Sequence, residues 1–375
     1  MTDIHFNKEE GSKLKLFTPG PVFVPERVRE ELKKPNDTHR SQPYEEMHTE
    51  AVKKLQQLLY TTNECFIFTS SATGIMEACM RNLLNNDEKG LVLSAGAFGD
   101  RWNDIGISNG KKVTKNAVEW GKAVKPDLVE EALSKEDYSV VFLQSNETST
   151  GIYNPLDKLV PIIKDSGALV CVDATSSMAG IKLEVDKLDI DVCLASVQKC
   201  FALPPGLAIA SISEGALEKS QEVSNKGYYF DFENLLKKSK KNQTPTTPPI
   251  PQIRALLAQL EYILEEEGLE NRFKRHKMLG KRTRIWARDI SMDMFSEQGY
   301  ESNTVSTIKN SLDLNITGII NKLLEKGYRI VNGYGKLTNK TFRIGHMGEI
   351  KVKELEEMLK ALTDIISEFR LKKLN

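Results

Sequence analysis

Between about residues 50 and 210 the chain repeats one unit. A short, nearly unbroken apolar run is followed by a longer segment of helical period. The runs are "CFIFTS" (65–70), "GLVLSA" (90–95), "SVVFLQS" (139–145), "ALVCVDAT" (168–175) and "DVCLASVQ" (191–198). They do not alternate polar with apolar, so they suit strands buried on both faces of a parallel sheet. Strand–helix–strand rhythm of this kind predicts an open α/β sheet, whose ligands gather at the carboxyl ends of the strands.

The rhythm stops at "LLKKSKKNQTPTTPPIP" (235–251), where Pro and Thr break the pattern and the lysines read as a solvated loop. Beyond it, "QIRALLAQLEYILEEEG" (252–268) has the spacing of a long helix. The tail mixes strands ("TVSTIKNS", "YRIVNGY", "TFRIGHMG") with helices ("ITGIINKLLEKG", "KVKELEEMLKALTDIISEFR"). At 375 residues the expectation is two domains. We place an N-terminal tail at 1–14, a large α/β domain at 15–252 and a small α+β domain at 253–375.

Composition narrows the function classes. The 52 Lys and Arg balance 52 Asp and Glu, which argues against nucleic acid as a partner. No apolar run reaches the length of a membrane helix, and "MTDIHFNKEEGSK" lacks the apolar core of a secretory signal. Five cysteines without a CxxC pair suit free thiols in a reducing compartment, so the expected location is cytoplasmic. No metal-ligand spacing is evident, and no metal is expected.

Chemistry is sought at the strand ends. Asp173 closes "ALVCVDAT", and Lys199 closes the next run, 26 residues on. A helix-sized crossover between them puts both on one edge of the sheet. They could form a plain ion pair. They could equally be the two poles of a pyridoxal phosphate site, in which a lysine forms the Schiff base and an aspartate keeps the ring nitrogen protonated. Such a cofactor needs backbone N–H groups for its phosphate, and Ser71, Ala72 and Thr73 lie where "FTSSATGIMEA" turns from strand to helix. It needs a flat apolar shelf, for which "SAGAFGDRW" offers Phe98, with Trp102 as a second candidate. "SNETSTG" (145–151) adds hydroxyls and an acid at a further strand end.

With these motifs the chain resembles the class V aminotransferases among the fold type I pyridoxal phosphate enzymes, and most of all the alanine/serine:glyoxylate (pyruvate) aminotransferases. The resemblance runs nearly end to end through "FTPGPVFVP", "HRSQPY", "SATGIMEA", "AFGDRW", "ETSTG", "VDATSSMAG", "SVQK", "TPTTPPI" and "FRIGHMG". It implies a mainly parallel, seven-stranded type of sheet. It makes Lys199 the Schiff-base lysine, Asp173 the partner of the ring nitrogen, Phe98 the stacking ring and Thr148 a donor to the phenolic oxygen. Ser71, Ala72, Thr73 and Gln198 would hold the phosphate, and Thr247 would reach the phosphate of a second subunit in a homodimer. Arg343 would clamp the substrate carboxylate and Gly20 would line the substrate pocket. Ala72, Phe98 and Ser145 stand where the family often has Gly, Trp and His.

The implied activity moves an amino group from serine or alanine to glyoxylate or pyruvate by a ping-pong route. Phosphoserine or aspartate transamination is the alternative, with Arg40 or His39 available for a second anionic group. Cysteine desulfuration would need a mobile Cys in the C-terminal half, and none follows Cys200. A nucleotide-binding dehydrogenase would need G-x-G-x-x-G, which is absent. A non-catalytic scaffold would have no use for this full set of contacts.

Overall fold

The computed structural model describes residues 14 to 374. The reading of "MTDIHFNKEEGSK" and nearly all of the expected tail at 1–14 lie outside the described residues.

Seven strands form the central sheet: β1 (Glu64–Thr69), β2 (Lys89–Ser94), β3 (Lys112–Ala117), β4 (Val140–Gln144), β5 (Leu169–Asp173), β6 (Val192–Ser196) and β7 (Leu207–Ile212). Their spatial order is β1-β7-β6-β5-β4-β2-β3. All pairings are parallel except those of β7, which runs antiparallel to both β1 and β6. A short connection (197–206) joins β6 to β7. That length suits an antiparallel neighbour but not a parallel crossover.

The five apolar runs became β1, β2, β4, β5 and β6. Sequence reading missed β3 and β7. Strand β3, "KVTKNA", is the exposed edge, and its lysines suit an edge strand that resists further pairing. Strand β7, "LAIASI", is fully buried. Helices α1 (Ala72–Leu83) and α2 (Ala97–Ser108) follow β1 and β2 directly, so their N-termini open at the carboxyl edge of the sheet.

Two other segments differ from expectation. Residues Phe232–Ser239 are helical, because the Asp231 side chain accepts the Glu233 N–H at 3.0 Å and caps the turn. Lysines 237 and 238 close that helix, where cations suit the dipole. The long helix expected at 252–268 is α3 (Ile250–Glu261) and then a π-helical segment, Tyr262–Glu267. It ends at Gly268, whose φ of +77° favours glycine.

After α4 (Leu269–Asp289), a small sheet is built from β8 (Val305–Lys309), β9 (Val331–Asn332) and β10 (Thr341–Gly345), in the order β8-β10-β9. Helices α5 (Ile316–Glu325) and α6 (Val352–Leu374) pack against it around a separate apolar cluster that includes Leu323, Ile344 and Leu362. The "YRIVNGY" run is divided at buried Ile330. Tyr328–Arg329 pairs with Lys15–Leu16, and Val331 pairs with Arg343 of β10. Among the described residues no helix is long and apolar enough to cross a membrane. None of them forms a group of His, Cys, Asp or Glu suited to a metal.

Candidate active site

Lys199 sits in the turn after β6 with only 8% of its surface exposed. Its Nζ donates to the Pro19 carbonyl at 2.9 Å and to Thr148 Oγ1 at 3.5 Å, and lies 5.6 Å from the centre of the Phe98 ring. Burial lowers its pKa to about 8, while Asp173 pulls the other way. A lysine so poised is still mostly an ammonium at neutral pH, but it loses its proton far more readily than an ordinary lysine, as a nucleophile needs.

Asp173 ends β5, in register with Gln144 of β4 and Leu194 of β6. It is buried, and its Oδ1 accepts the Thr175 N–H at 2.9 Å. Burial pushes its pKa up, against the Thr175 hydrogen bonds and the charges of Lys199 and Arg101. Asp173, Lys199, Thr148, Phe98, Ser71, Ala72, Thr73 and Gln198 all line one cavity. A larger groove, about 1060 Å³, lies between Trp120 and the Arg284 face of α4. It is open, and none of the residues assigned above lines it.

The N-terminus of α1 forms one wall. Ser71 is its N-cap residue, but the hydroxyl is not spent on its own helix. The Ala72 N–H is already taken by Ser196 Oγ at 2.9 Å, and Gly74 donates to the Ser71 carbonyl at 3.0 Å. Thr73 Oγ1 accepts from Arg101 Nη1 at 3.2 Å. Gln198 keeps a buried side-chain oxygen, Oε1, without a partner. The N-terminus of α1, the Ser71 hydroxyl, the N–H₂ end of the Gln198 amide and the nearby Arg101 guanidinium are donors that together suit a phosphate.

Phe98 opens α2, and its ring lies 5.5 Å from that of Tyr334 at an interplanar angle of 37°. Trp102, the second candidate for the shelf, is fully buried instead against Phe142, 4.9 Å between centroids. Thr148 Oγ1 donates to Ser176 Oγ at 2.8 Å, and Ser145 Oγ meets Ser177 Oγ behind it. Arg343, on β10, does not line the cavity but touches its rim. Nη1 donates to the Thr148 carbonyl at 3.4 Å and Nε to the Asn332 carbonyl at 3.3 Å. Burial lowers its pKa to about 10.

Gly20 backs directly onto the lysine: a Cβ there would stand 2.8 Å from Lys199 Cγ. Thr247 is exposed and apart from the cavity. Arg40 is exposed too, bonded to Gln243 at 2.7 Å, and neither it nor His39 lines the cavity.

Sequence reasoning missed Arg101, Glu147 and Tyr334. Arg101 lines the cavity, 4.6 Å from the Phe98 ring and 3.4 Å from the Tyr334 hydroxyl. Its spacing of three from Phe98 on one helix was a usable signal, since such residues share a face.

The class-V aminotransferase family model matches residues 27–290. The chain belongs to the class V aminotransferases. An uncharacterised aminotransferase of Methanocaldococcus jannaschii is 36% identical, over 93% of this chain and 91% of that protein. An L-aspartate–glyoxylate aminotransferase of Paracoccus denitrificans is 32% identical, over 89% and 86% respectively. A solved alanine–glyoxylate aminotransferase of Nostoc sp. is 25% identical with a TM-score of 0.89, over 94% of this chain and 95% of that one. The fold is therefore that of the pyridoxal phosphate aminotransferases, the cofactor is pyridoxal 5′-phosphate, and this class V aminotransferase is an enzyme of the transaminase type.

Proposed function

We propose that this aminotransferase takes its amino group from a small amino acid, serine or alanine, and gives it to glyoxylate or pyruvate. The observation that carries the residue roles is the convergence of Lys199, Asp173, Phe98 and Thr148 on one buried cavity. When bound, pyridoxal phosphate supplies an electron sink and a carrier for the amino group. Its phosphate suits Ser71, Thr73 and Gln198, while the Ala72 N–H assigned to it from sequence is held by Ser196 Oγ in this structure, and its ring suits Phe98 on one side. Asp173 would keep a proton on the ring nitrogen, and Thr148, whose hydroxyl donates to Ser176 Oγ in this structure, would turn to the ring's phenolic oxygen.

Lys199 would hold the aldehyde end of the cofactor, and its amine is placed to take up and give back a proton at the substrate Cα. Arg343 binds the substrate carboxylate through its two-pronged fork. Gly20 keeps the space beside Lys199 free. Thr247 serves the second subunit of a homodimer, consistent with its exposure and its distance from this chain's own cavity. The large domain, placed at 15–252, and the small one, placed at 253–375, would hold substrate between them, with α3 (Ile250–Glu261) crossing the boundary and packing into the large-domain core. Five free, buried cysteines support a cytoplasmic location.

One observation favours a second reading. Arg101 brings another guanidinium to the cavity, which suits a donor with a second acidic group, such as aspartate or phosphoserine. A panel of amino acids, scored by loss of the visible absorbance of the holoenzyme, separates the two. Serine and alanine are expected to react ahead of aspartate. Turnover by Lys199→Ala near the wild-type rate would overturn the residue roles.

A further inference from the structure

Outside the cavity, one cluster of buried charges has no part in the chemistry so far. Arg272, on α4, is completely buried. Its Nη1 pairs with Glu267, Nε donates to the Ala179 carbonyl at 2.7 Å, and Nη2 donates to the carbonyl of Cys200. Arg275, one turn on, pairs with the other Glu267 oxygen through Nε at 2.6 Å. Its Nη1 and Nη2 donate to the carbonyls of Ile350 at 2.9 Å and Gly348 at 3.0 Å. Burial pushes the Glu267 carboxyl up, but the two arginines outweigh it and leave the group below its ordinary range. Burial lowers the Arg272 pKa, and Glu267 opposes it without cancelling it.

A buried arginine–glutamate–arginine set is weak as a source of stability, because desolvation offsets the attraction. What it holds is informative. Cys200 follows Lys199 in the chain. Ala202, two residues further, is left-handed at φ +58° and donates its N–H to the Lys199 carbonyl at 2.9 Å. Ala179, the other partner of Arg272, is also left-handed, at φ +65°. Such backbone persists only when its surroundings over-determine it. Gly348 follows β10, the strand of Arg343, and a Cβ there would stand 3.3 Å from Ala202 Cβ and 3.7 Å from the Lys199 carbonyl oxygen.

We infer that Arg272 and Arg275, joined through Glu267, are positioning residues that fix the Lys199 turn against the segment following the Arg343 strand. The inference rests on the roles proposed above for Lys199 and Arg343. Arg272 acts on the lysine end and Arg275 on the carboxylate end, so their variants should differ in kind.

The test uses holoenzyme. Arg272→Lys keeps a charge beside Glu267 but cannot reach two carbonyls in fixed geometry. It should lower kcat about tenfold or more, because small misplacements of reacting groups are costly. KM for the amino donor should stay within about twofold, and the visible circular dichroism of the bound cofactor should weaken while the far-ultraviolet signal holds. Arg275→Gln should instead raise KM by about threefold or more with kcat little changed. A lower melting temperature with kcat, KM and visible dichroism intact would overturn the inference, since that is a purely structural role. If Arg272→Lys does not accumulate folded, an unchanged KM in Arg275→Gln would overturn it alone. Failure of the underlying roles is read separately, as retained turnover by Lys199→Ala.

Discussion

The Glu147 carboxylate accepts the backbone N–H of Phe98 at 3.0 Å. The same oxygen takes the Gly99 N–H at 3.0 Å, and the other takes the Ser149 N–H at 3.0 Å and the Ser149 hydroxyl. Burial pushes this carboxyl up, and these donors oppose it. A glutamate spent in this way fixes the start of α2, and with it the ring that faces the cavity. Glu147→Gln turns an amide N–H₂ toward N–H donors and removes the charge at a helix N-terminus. The expected loss is about 2–3 kcal/mol, the scale of a charge-assisted hydrogen bond left unmade. Urea denaturation measures it, and titration of apoenzyme with cofactor should show weaker binding. An unaltered midpoint would mean that the carboxyl is neutral and the pairing weak.

Gly20 has a φ of +99°, and a Cβ there would meet Lys199 Cγ at 2.8 Å. Gly20→Ala therefore combines backbone strain with a clash against the reacting side chain. Strain alone costs of order 1–3 kcal/mol. Because the clash is with Lys199 itself, kcat should fall further than the loss of stability would suggest. Steady-state kinetics beside a thermal melt distinguish the two, and a variant with wild-type kcat would show that the Lys199 stem moves aside freely.

The parts legible in sequence share one physical property: they sit where an apolar run ends. Asp173 closes one strand buried on both faces and Lys199 follows the next, so a charged residue there stands out against its background, whereas Thr148 was one of several hydroxyls and was placed by resemblance. Strand β3 escaped because an edge strand of "KVTKNA" carries no apolar run. Glu147 was visible only as an acid in a hydroxyl cluster, since the partners that tie it to α2 are backbone groups 48 and 49 residues away. Tyr334 and the Arg272 cluster depend on tertiary contacts with no spacing to announce them. Arg343 was placed by resemblance and not by pattern; on β10 it is one more residue of a buried strand.

Arg343 is held on two sides, by the Asn332 carbonyl at 3.3 Å and the Thr148 carbonyl at 3.4 Å, with Tyr334 beside it at 5.4 Å from ring centre to Cζ. Both bonds are long, which leaves the fork available to a carboxylate. Arg343→Ala should raise KM for the amino donor about ten- to a hundredfold, the worth of a charge-assisted pair. Arg343→Lys should recover only part of this, because an ammonium cannot bind a carboxylate through a planar fork. A KM unchanged in Arg343→Ala would move the clamp to Arg101, which Arg101→Ala would then reveal.

Lys199 also makes the apoenzyme's stability depend on pH. Its pKa falls from the ordinary 10.5 to about 8 on folding, because burial disfavours the ammonium. The unfolded chain then binds more protons than the folded one between those values, so this group's contribution to stability rises with pH across that window. Below about pH 8 the cost of holding a buried ammonium is fully present; above about pH 10.5 it has gone. At about 1.4 kcal/mol per unit, the change is about 3 kcal/mol. Lys199→Met removes the titrating group and should flatten that part of the profile. The measurement is urea denaturation of apoenzyme and variant at pH 7.5, 9 and 10.5, taken as the difference between the two proteins. That difference cancels the other lysines and tyrosines that titrate in the same range. A difference that stays constant with pH would mean that Lys199 keeps an ordinary pKa in the folded chain, and that its nucleophilic form must be generated by the bound cofactor instead.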